Sequence, residues 1–448
     1  MAELFVDASA APGGDGSRAR PFRALPDAPV RGRVRLATGV YAGGLVLEDV
    51  ELIGTGAVVL TSRPPSPCLR TRGTVRLEGL QIQGGTAGVV VESGRTMLDS
   101  VRLSGQRGAA LEVGSGGELV AAHSSLQASV SGFPGVRVLE GGRAELRDVR
   151  LEGPFQRGVE ATRPASLLLS GVQIRDAVTG VWLVGGTALA ESLEVRGGRG
   201  PGLYVGGGAL QIRGVRVSGQ EYGLLTGGEA RVDGRGLTSV GSARAGVALV
   251  NTKAVLEDVR VEAAGDLAAV QLLGSEVRLK GLQIQGGRAS GLVARNAQLT
   301  LEDATVAGLQ ASDSAEGDAV QVRAGKASLA GLHVQDCSGI GVLAAEGAIV
   351  TLARSTIGGA GVAGVSVETE ARISTSGVVV EGTRGPAVVV TERGTAVLKG
   401  MTGRSNRDGA VWAECSQGVT VEIDGWSGDP LPVPSACVRN VSPVSPRR

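Results

Sequence analysis

Apolar residues recur at every second position in short bursts along most of this chain, and Gly, Asp or Ser breaks the bursts at regular intervals. Residues 75–85 read VRLEGLQIQGG and residues 277–287 read VRLKGLQIQGG, ten of eleven positions identical across 202 residues. A near-duplicate that distant is either a second domain or a sample of something periodic. Aligned on this motif, residues 74–418 divide into fifteen segments of 21 to 28 residues, averaging 23. TVRLEGLQIQGGTAGVVVESG, RAELRDVRLEGPFQRGVEATRP and KASLAGLHVQDCSGIGVLAAEG share one pattern. It runs apolar-x-apolar-x-turn-apolar-x-apolar, then a Gly-rich stretch of variable length, then Gly-apolar-x-apolar. Alternation marks strands, so each segment predicts three short strands separated by turns. A period of about 20 to 50 residues carrying one supersecondary unit predicts a solenoid.

The break inside each segment narrows the choice. Its second position holds Gly79, Gly171, Gly214, Gly236, Gly281, Gly331, Gly377 and Gly400, then Asp148, Asp258 and Asp303, then Ser100, Ser125 and Ser192, with Arg354 the one exception. Gly adopts positive φ freely and Asp with less comfort, so this column predicts a tight corner. Three strands with one tight corner and two looser ones predict an all-β fold, a right-handed parallel β-helix of about 15 or more coils of ~22–23 residues. A left-handed β-helix built on hexapeptides would need a shorter and stricter repeat. The expected organisation is a single structural domain: residues 1–73 as N-terminal cap and first coils, 74–418 as repeating coils, and 419–448 as C-terminal cap with a Pro-rich tail.

Composition supports small, closely stacked coils. Glycine is 73 of 448 residues, roughly 16 % against a typical ~7 %. Aromatics are 2 %, while hydrophobic residues, nearly all Val, Leu, Ala and Ile, are 42 %. Net charge is +1, from 45 basic and 44 acidic residues, which gives no general field to draw nucleic acid. Only Lys253, Lys280, Lys326 and Lys399 are lysines; the other basic residues are arginines. No apolar run approaches the ~20 residues that span a bilayer. The opening MAELFVDASA has neither a basic n-region nor an apolar h-region. A secreted or cell-envelope location follows if an export signal has been removed from this chain, a cytoplasmic one otherwise. Cys68, Cys337, Cys415 and Cys437 form no metal-binding spacing, but Cys415 and Cys437 lie one repeat period apart. That spacing suits a capping disulfide or two stacked free thiols.

The first 60 or so residues carry a second signal: a strand at 5–7, a Gly/Asp loop at 13–16, Pro21 and Phe22, a GVY turn at 39–41 and LIGTG at 52–56. Together these resemble the opening of an uncharacterised domain family found at the head of many pectin-lyase-like β-helix proteins. The chain departs from that family after Phe22, where ALPDAP replaces a short helix with a turn. The resemblance implies a polysaccharide lyase or glycoside hydrolase as one reading, since pectin-lyase-like relatives include both. The residues argue against it. The NTD, DD, GHG and RIK signatures of polygalacturonase-like hydrolases are absent, as are a Gly-x-Ser-x-Gly elbow and a phosphate-binding loop. His123 and His333 fall about nine coils apart, too far to share a site, and His123 is expected inward, buried and hydrogen-bonded. Recurrent Asp mostly occupies the corner, where a structural role suffices. No catalytic residue is assigned.

Outward positions of the third strand are more informative. Their first column reads Val90, Glu112, Arg137, Glu160, Trp182, Tyr204, Leu225, Ala248, Gln271, Val293, Gln321, Leu343, Ser366, Val389, Trp412. Glu112, Arg137, Glu160, Trp182 and Tyr204 form a candidate ligand-binding ladder of about 19 Å at ~4.8 Å per coil. Aromatic rings beside charged hydrogen-bonding groups suit a sugar chain. Opposite charges and neighbouring rings also stabilise a sheet with no ligand at all.

Two longer segments stand apart. Asp313, Glu316 and Asp318 cluster in the insertion GLQASDSAEGDA, weak candidates for Ca²⁺ with no known calcium-loop spacing; a solvated acidic loop is the simpler expectation. QASVSGFPG places Phe133 and Pro134 where they could lean over the Arg137 end of the ladder. The leading expectation is a non-catalytic exported or cell-surface binding or scaffold module. Its expected partner is a polysaccharide or a cell-envelope protein, with no nucleic acid, no transmembrane segment and no required cofactor. A lyase or hydrolase with an unrecognised site is the alternative. A third is a structural rod that meets partner proteins through Val90, Leu225, Val293 and Leu343.

Overall fold

The computed structural model describes residues 3–26, 29–128, 130–312, 316–432 and 435–441. Each apolar burst forms a strand whose alternate side chains point in and out, as in Arg143–Arg147, where Ala144 and Leu146 are buried and their neighbours are not. Within each of its two units every strand pairing among the described residues is parallel and joins equivalent strands of successive coils. The result is a right-handed parallel β-helix of about 17 turns with nearly no helix. It divides into two compact units, Met1–Gln220 and Glu221–Arg448.

The core of each unit is a set of stacked inward columns. In the first, Leu77, Leu98, Ala121, Leu146, Leu169, Ala190 and Ile212 lie in register along the first strands. In the second, Leu256, Leu279, Leu301, Leu329, Leu352, Thr375, Leu398 and Ile423 do the same. All are buried, and burial of each Leu contributes about 1.5–3 kcal/mol. Thr375 enters this apolar column without an orphaned hydroxyl, because its Oγ1 accepts from the Lys399 N–H at 3.2 Å.

The corner column lies where the sequence places it in every coil but one. Its Gly, Asp and Ser residues, and Arg354, have φ between 47° and 74°. The exception is Ser125, which starts the strand Ser125–Gln127; His123, at φ 48°, turns that corner instead. AAHSSLQ holds neither Gly nor Asp, so the alignment slides two residues onto a serine. The expectation of a buried His123 is therefore wrong. Ala121 takes the inward slot, and the exposed imidazole stands 3.1 Å from Asp99 and 4.0 Å from Asp148.

Corners also communicate between coils. Asp258 precedes Gly281 at the same corner, and a Cβ on Gly281 would lie 2.9 Å from Asp258 Oδ1. Asp303 and Gly331 repeat the arrangement at 2.8 Å, as do Asp176 and Gly197 at 2.9 Å. A left-handed Asp on one coil thus selects glycine on the next.

Both ends are closed by short pairings. Glu3–Val6 pairs with Val30–Ala42, and the buried Tyr41 hydroxyl donates to Ala37 O at 2.8 Å while accepting from Ala8 N–H at 3.2 Å. At the other end Val438–Asn440 pairs with Thr420–Asp424. Cys415 and Cys437 form a disulfide with Cα atoms 5.5 Å apart, which resolves the choice left by their spacing. Among the described residues no helix is long and apolar enough to cross a membrane.

Candidate functional site

The first unit brings the five candidate residues into one line. Leu111–Val113, Pro134–Val138, Arg157–Thr162, Thr179–Val184 and Pro201–Gly206 stack so that Glu112, Arg137, Glu160, Trp182 and Tyr204 are successive partners. The residues on either side of each are buried, so alternation turns these five outward.

Charge and ring contacts then follow the stacking. Arg137 stands between two carboxylates, 3.6 Å from Glu112 and 3.8 Å from Glu160. Both distances exceed the roughly 2.7–2.9 Å of a charge-assisted hydrogen bond, so the guanidinium is attracted to both and bound tightly by neither. Glu160 is held more closely by Arg157, at 2.6 Å. The same Arg157 lies over the Trp182 ring, 4.2 Å from its centroid, while Tyr204 stacks on Trp182 with centroids 4.0 Å apart and planes 23° from parallel. Arg157 belongs to the coil before Trp182 and Tyr204 to the coil after. The indole is therefore enclosed on both faces by protein and turns its edge outward.

Arg157 was not among the sequence candidates. It enters its strand opposite Pro134 and Thr179, at a position with no repeated residue type, so alternation alone carries no signal for it.

The next outward positions are Leu139, Thr162, Val184 and Gly206, two residues beyond Arg137, Glu160, Trp182 and Tyr204. Leu139 and Val184 are exposed. Gly206 has a specific purpose, since a Cβ there would lie 2.9 Å from the Tyr204 ring. Past this strip, stacked glycines open a trough of about 530 Å³ lined by Gly141, Arg143, Pro164, Gly185 and Gly208.

Only part of the candidate set in the insertion near 313 is described. Asp313 lies outside the described residues, and Glu316 is exposed. Asp318 is 2 % exposed; its Oδ1 accepts from the Ile340 N–H and its Oδ2 from the Gln321 amide, both at 2.7 Å. Burial pushes its carboxyl above the usual range. Among the described residues no group of three His, Cys, Asp or Glu could hold a metal ion. Leu343, expected outward and available to a partner, is 3 % exposed and packs with Ile340 and Ala345. Phe133 is exposed and Pro134 buried at the start of its strand. Trp412, at the end of the column, is 50 % exposed.

Fold and site define a right-handed β-helix protein with a charged and aromatic ladder on one face. The family model described as right handed beta helix region matches residues 268–424. Among solved structures, tailspike protein 3 of bacteriophage CBA120 is similar at 12 % identity and a TM-score of 0.31 over 93 % of this chain, which spans 59 % of the tailspike. The A-module of the Azotobacter vinelandii mannuronan C-5 epimerase AlgE6 is similar at 14 % identity and a TM-score of 0.27, over 90 % of this chain and 91 % of the module. The PL6 family alginate lyase AlyGC is similar at 9 % identity and a TM-score of 0.24, over 95 % of this chain and all of the lyase. No curated protein matches the sequence.

Proposed function

We propose that this chain is a non-catalytic binding module of the exported or cell-surface kind, and that it holds a polysaccharide along the third-strand face of its first unit. The observation that carries this reading is the position of Arg137, held between Glu112 and Glu160 at 3.6 and 3.8 Å with its N–H groups committed to neither. Sugar hydroxyls would complete hydrogen bonds that the protein leaves long. The exposed Leu139 and Val184 beside this ladder offer the apolar contact that sugar C–H faces require. Trp182 contributes its indole edge and the rigidity of its stack with Arg157 and Tyr204, in place of a stacking platform. A catalytic reading asks Glu112 and Glu160 to work as a pair, yet Arg137 occupies the space between them.

The test is a glycan array read with wild type and with Arg137→Ala, Trp182→Ala and the double Trp182→Ala, Tyr204→Ala variant. Binding without product, weakened about tenfold or more by Arg137→Ala, is expected. Release of unsaturated or reducing ends from any bound polymer would sink the non-catalytic reading. Equal binding by wild type and all variants would remove the site.

A further inference from the structure

The two copies of the repeated motif differ at one position, and that difference removes the in-strand partner of an arginine that lines a groove. In the first copy Arg76 bonds its in-strand neighbour Glu78 at 2.9 Å. In the second copy Lys280 replaces the glutamate, and Arg278 loses that partner. Arg278 faces a groove of about 540 Å³ on the first-strand sheet of the second unit. Lys326 lines the same groove, and among the described residues no carboxylate lies within 4.0 Å of either cation. Arg231 and Lys253 also line it, but Asp233 and Glu276 neutralise them at 2.8 and 3.3 Å. Four cations therefore face two carboxylates, in a chain whose whole net charge is +1.

The groove floor is equally particular. Thr300, Ser328 and Thr351 are register partners on three successive coils, so hydroxyls recur every ~4.8 Å beside the unpaired cations. Exposed Val255 and Ile349 also line it. No aromatic side chain lines it, so it lacks the aromatic platform on which single-stranded nucleic-acid sites stack successive bases.

We infer that this groove binds an acidic polysaccharide, an extended chain bearing carboxylates and hydroxyls, through Arg278, Lys326 and the hydroxyl ladder. This site is separate from the ladder of the first unit and does not rest on the reading given for it. The test is binding of polygalacturonate to the full chain at low and physiological salt, with dextran and poly-dT as controls. Wild type should bind polygalacturonate. Arg278→Ala with Lys326→Ala should weaken binding tenfold or more, and Lys399→Ala, an exposed lysine outside both the groove and the ladder, should leave it unchanged. Arg278→Lys with Lys326→Arg, which keeps the charge and guards against misfolding, should retain most of the affinity. Dextran should not bind this groove, and poly-dT should bind at least fivefold more weakly than polygalacturonate. No binding by wild type, or equal binding by the Arg278→Ala, Lys326→Ala variant, would overturn the assignment. Poly-dT binding as tightly as polygalacturonate would overturn its polysaccharide part.

Discussion

Arg157 reaches forward one coil to lie 4.2 Å above Trp182, and in doing so closes the face that Tyr204 leaves open. The stack therefore contributes stability as well as shaping the ladder. An aromatic pair adds about 0.5–1.5 kcal/mol beyond its buried area, and a cation over a ring about 0.5–1 kcal/mol at a partly exposed site. A double-mutant cycle between Trp182→Ala and Tyr204→Ala should give a coupling of roughly 0.5–1.5 kcal/mol in urea unfolding. Gly206→Ala should reproduce part of that loss, because the added methyl meets the Tyr204 ring at 2.9 Å. Additive single variants would show that the rings merely lie side by side.

The corner pairs make a separate prediction. Gly281 has φ 70° and sits beneath Asp258, with room for no Cβ. Gly281→Ala should cost about 1–3 kcal/mol, from the left-handed backbone and from the crowded carboxylate together. Asp258→Gly removes only the second cause. In the Asp258→Gly background the cost of Gly281→Ala should shrink by roughly 0.5–1.5 kcal/mol. An unchanged cost would assign the whole effect to backbone conformation.

The same corners show why the fold was legible in the sequence. Strand alternation has period two, and a Gly, Asp or Ser marks nearly every corner, so the register of Glu112, Arg137, Glu160, Trp182 and Tyr204 follows from counting. Counting fails at His123, where two serines follow the true corner and draw the alignment onto Ser125. It also fails for contacts made by side-chain length. Arg157 meets Trp182 because a long side chain crosses to the next coil, and no column records that reach. Leu343 sits in an outward position yet is buried, since alternation gives a direction and not what covers it.

Buried thiols and the disulfide predict a simple titration. Burial pushes the Cys68 thiol up to about 12 and the Cys337 thiol up to about 11, so neither supplies thiolate at neutral pH. Cys415 and Cys437 are joined. A thiol reagent should find no reactive group in the native protein, two in denaturant without reductant, and four in denaturant after reduction. Four without reduction would mean that the disulfide does not form. Replacing both of its cysteines with serine should loosen the pairing of Val438–Asn440 on Thr420–Asp424, seen as faster amide exchange in that last coil with little change elsewhere.

Acid behaviour separates two carboxylates of the second unit. Burial, then repulsion from Glu316, raises the Asp318 carboxyl above 3.8, although bonds from Ile340 and Gln321 and the charge of Arg323 pull the other way. The folded state therefore holds this proton more tightly than the unfolded chain. Its contribution is present at low pH and is lost as pH rises from about 3.8 through the folded value. Glu346 has the opposite sign. Hydrogen bonds from Arg323 and Arg295 lower its carboxyl below 4.5, so its contribution is present above 4.5 and is lost as pH falls through the folded value. Urea midpoints measured from pH 3 to 7 should show the Asp318→Asn variant losing less stability than wild type as pH rises. The Glu346→Gln variant should lose less as pH falls. Both variants shifting the curve equally at every pH would mean that neither group's titration is coupled to folding.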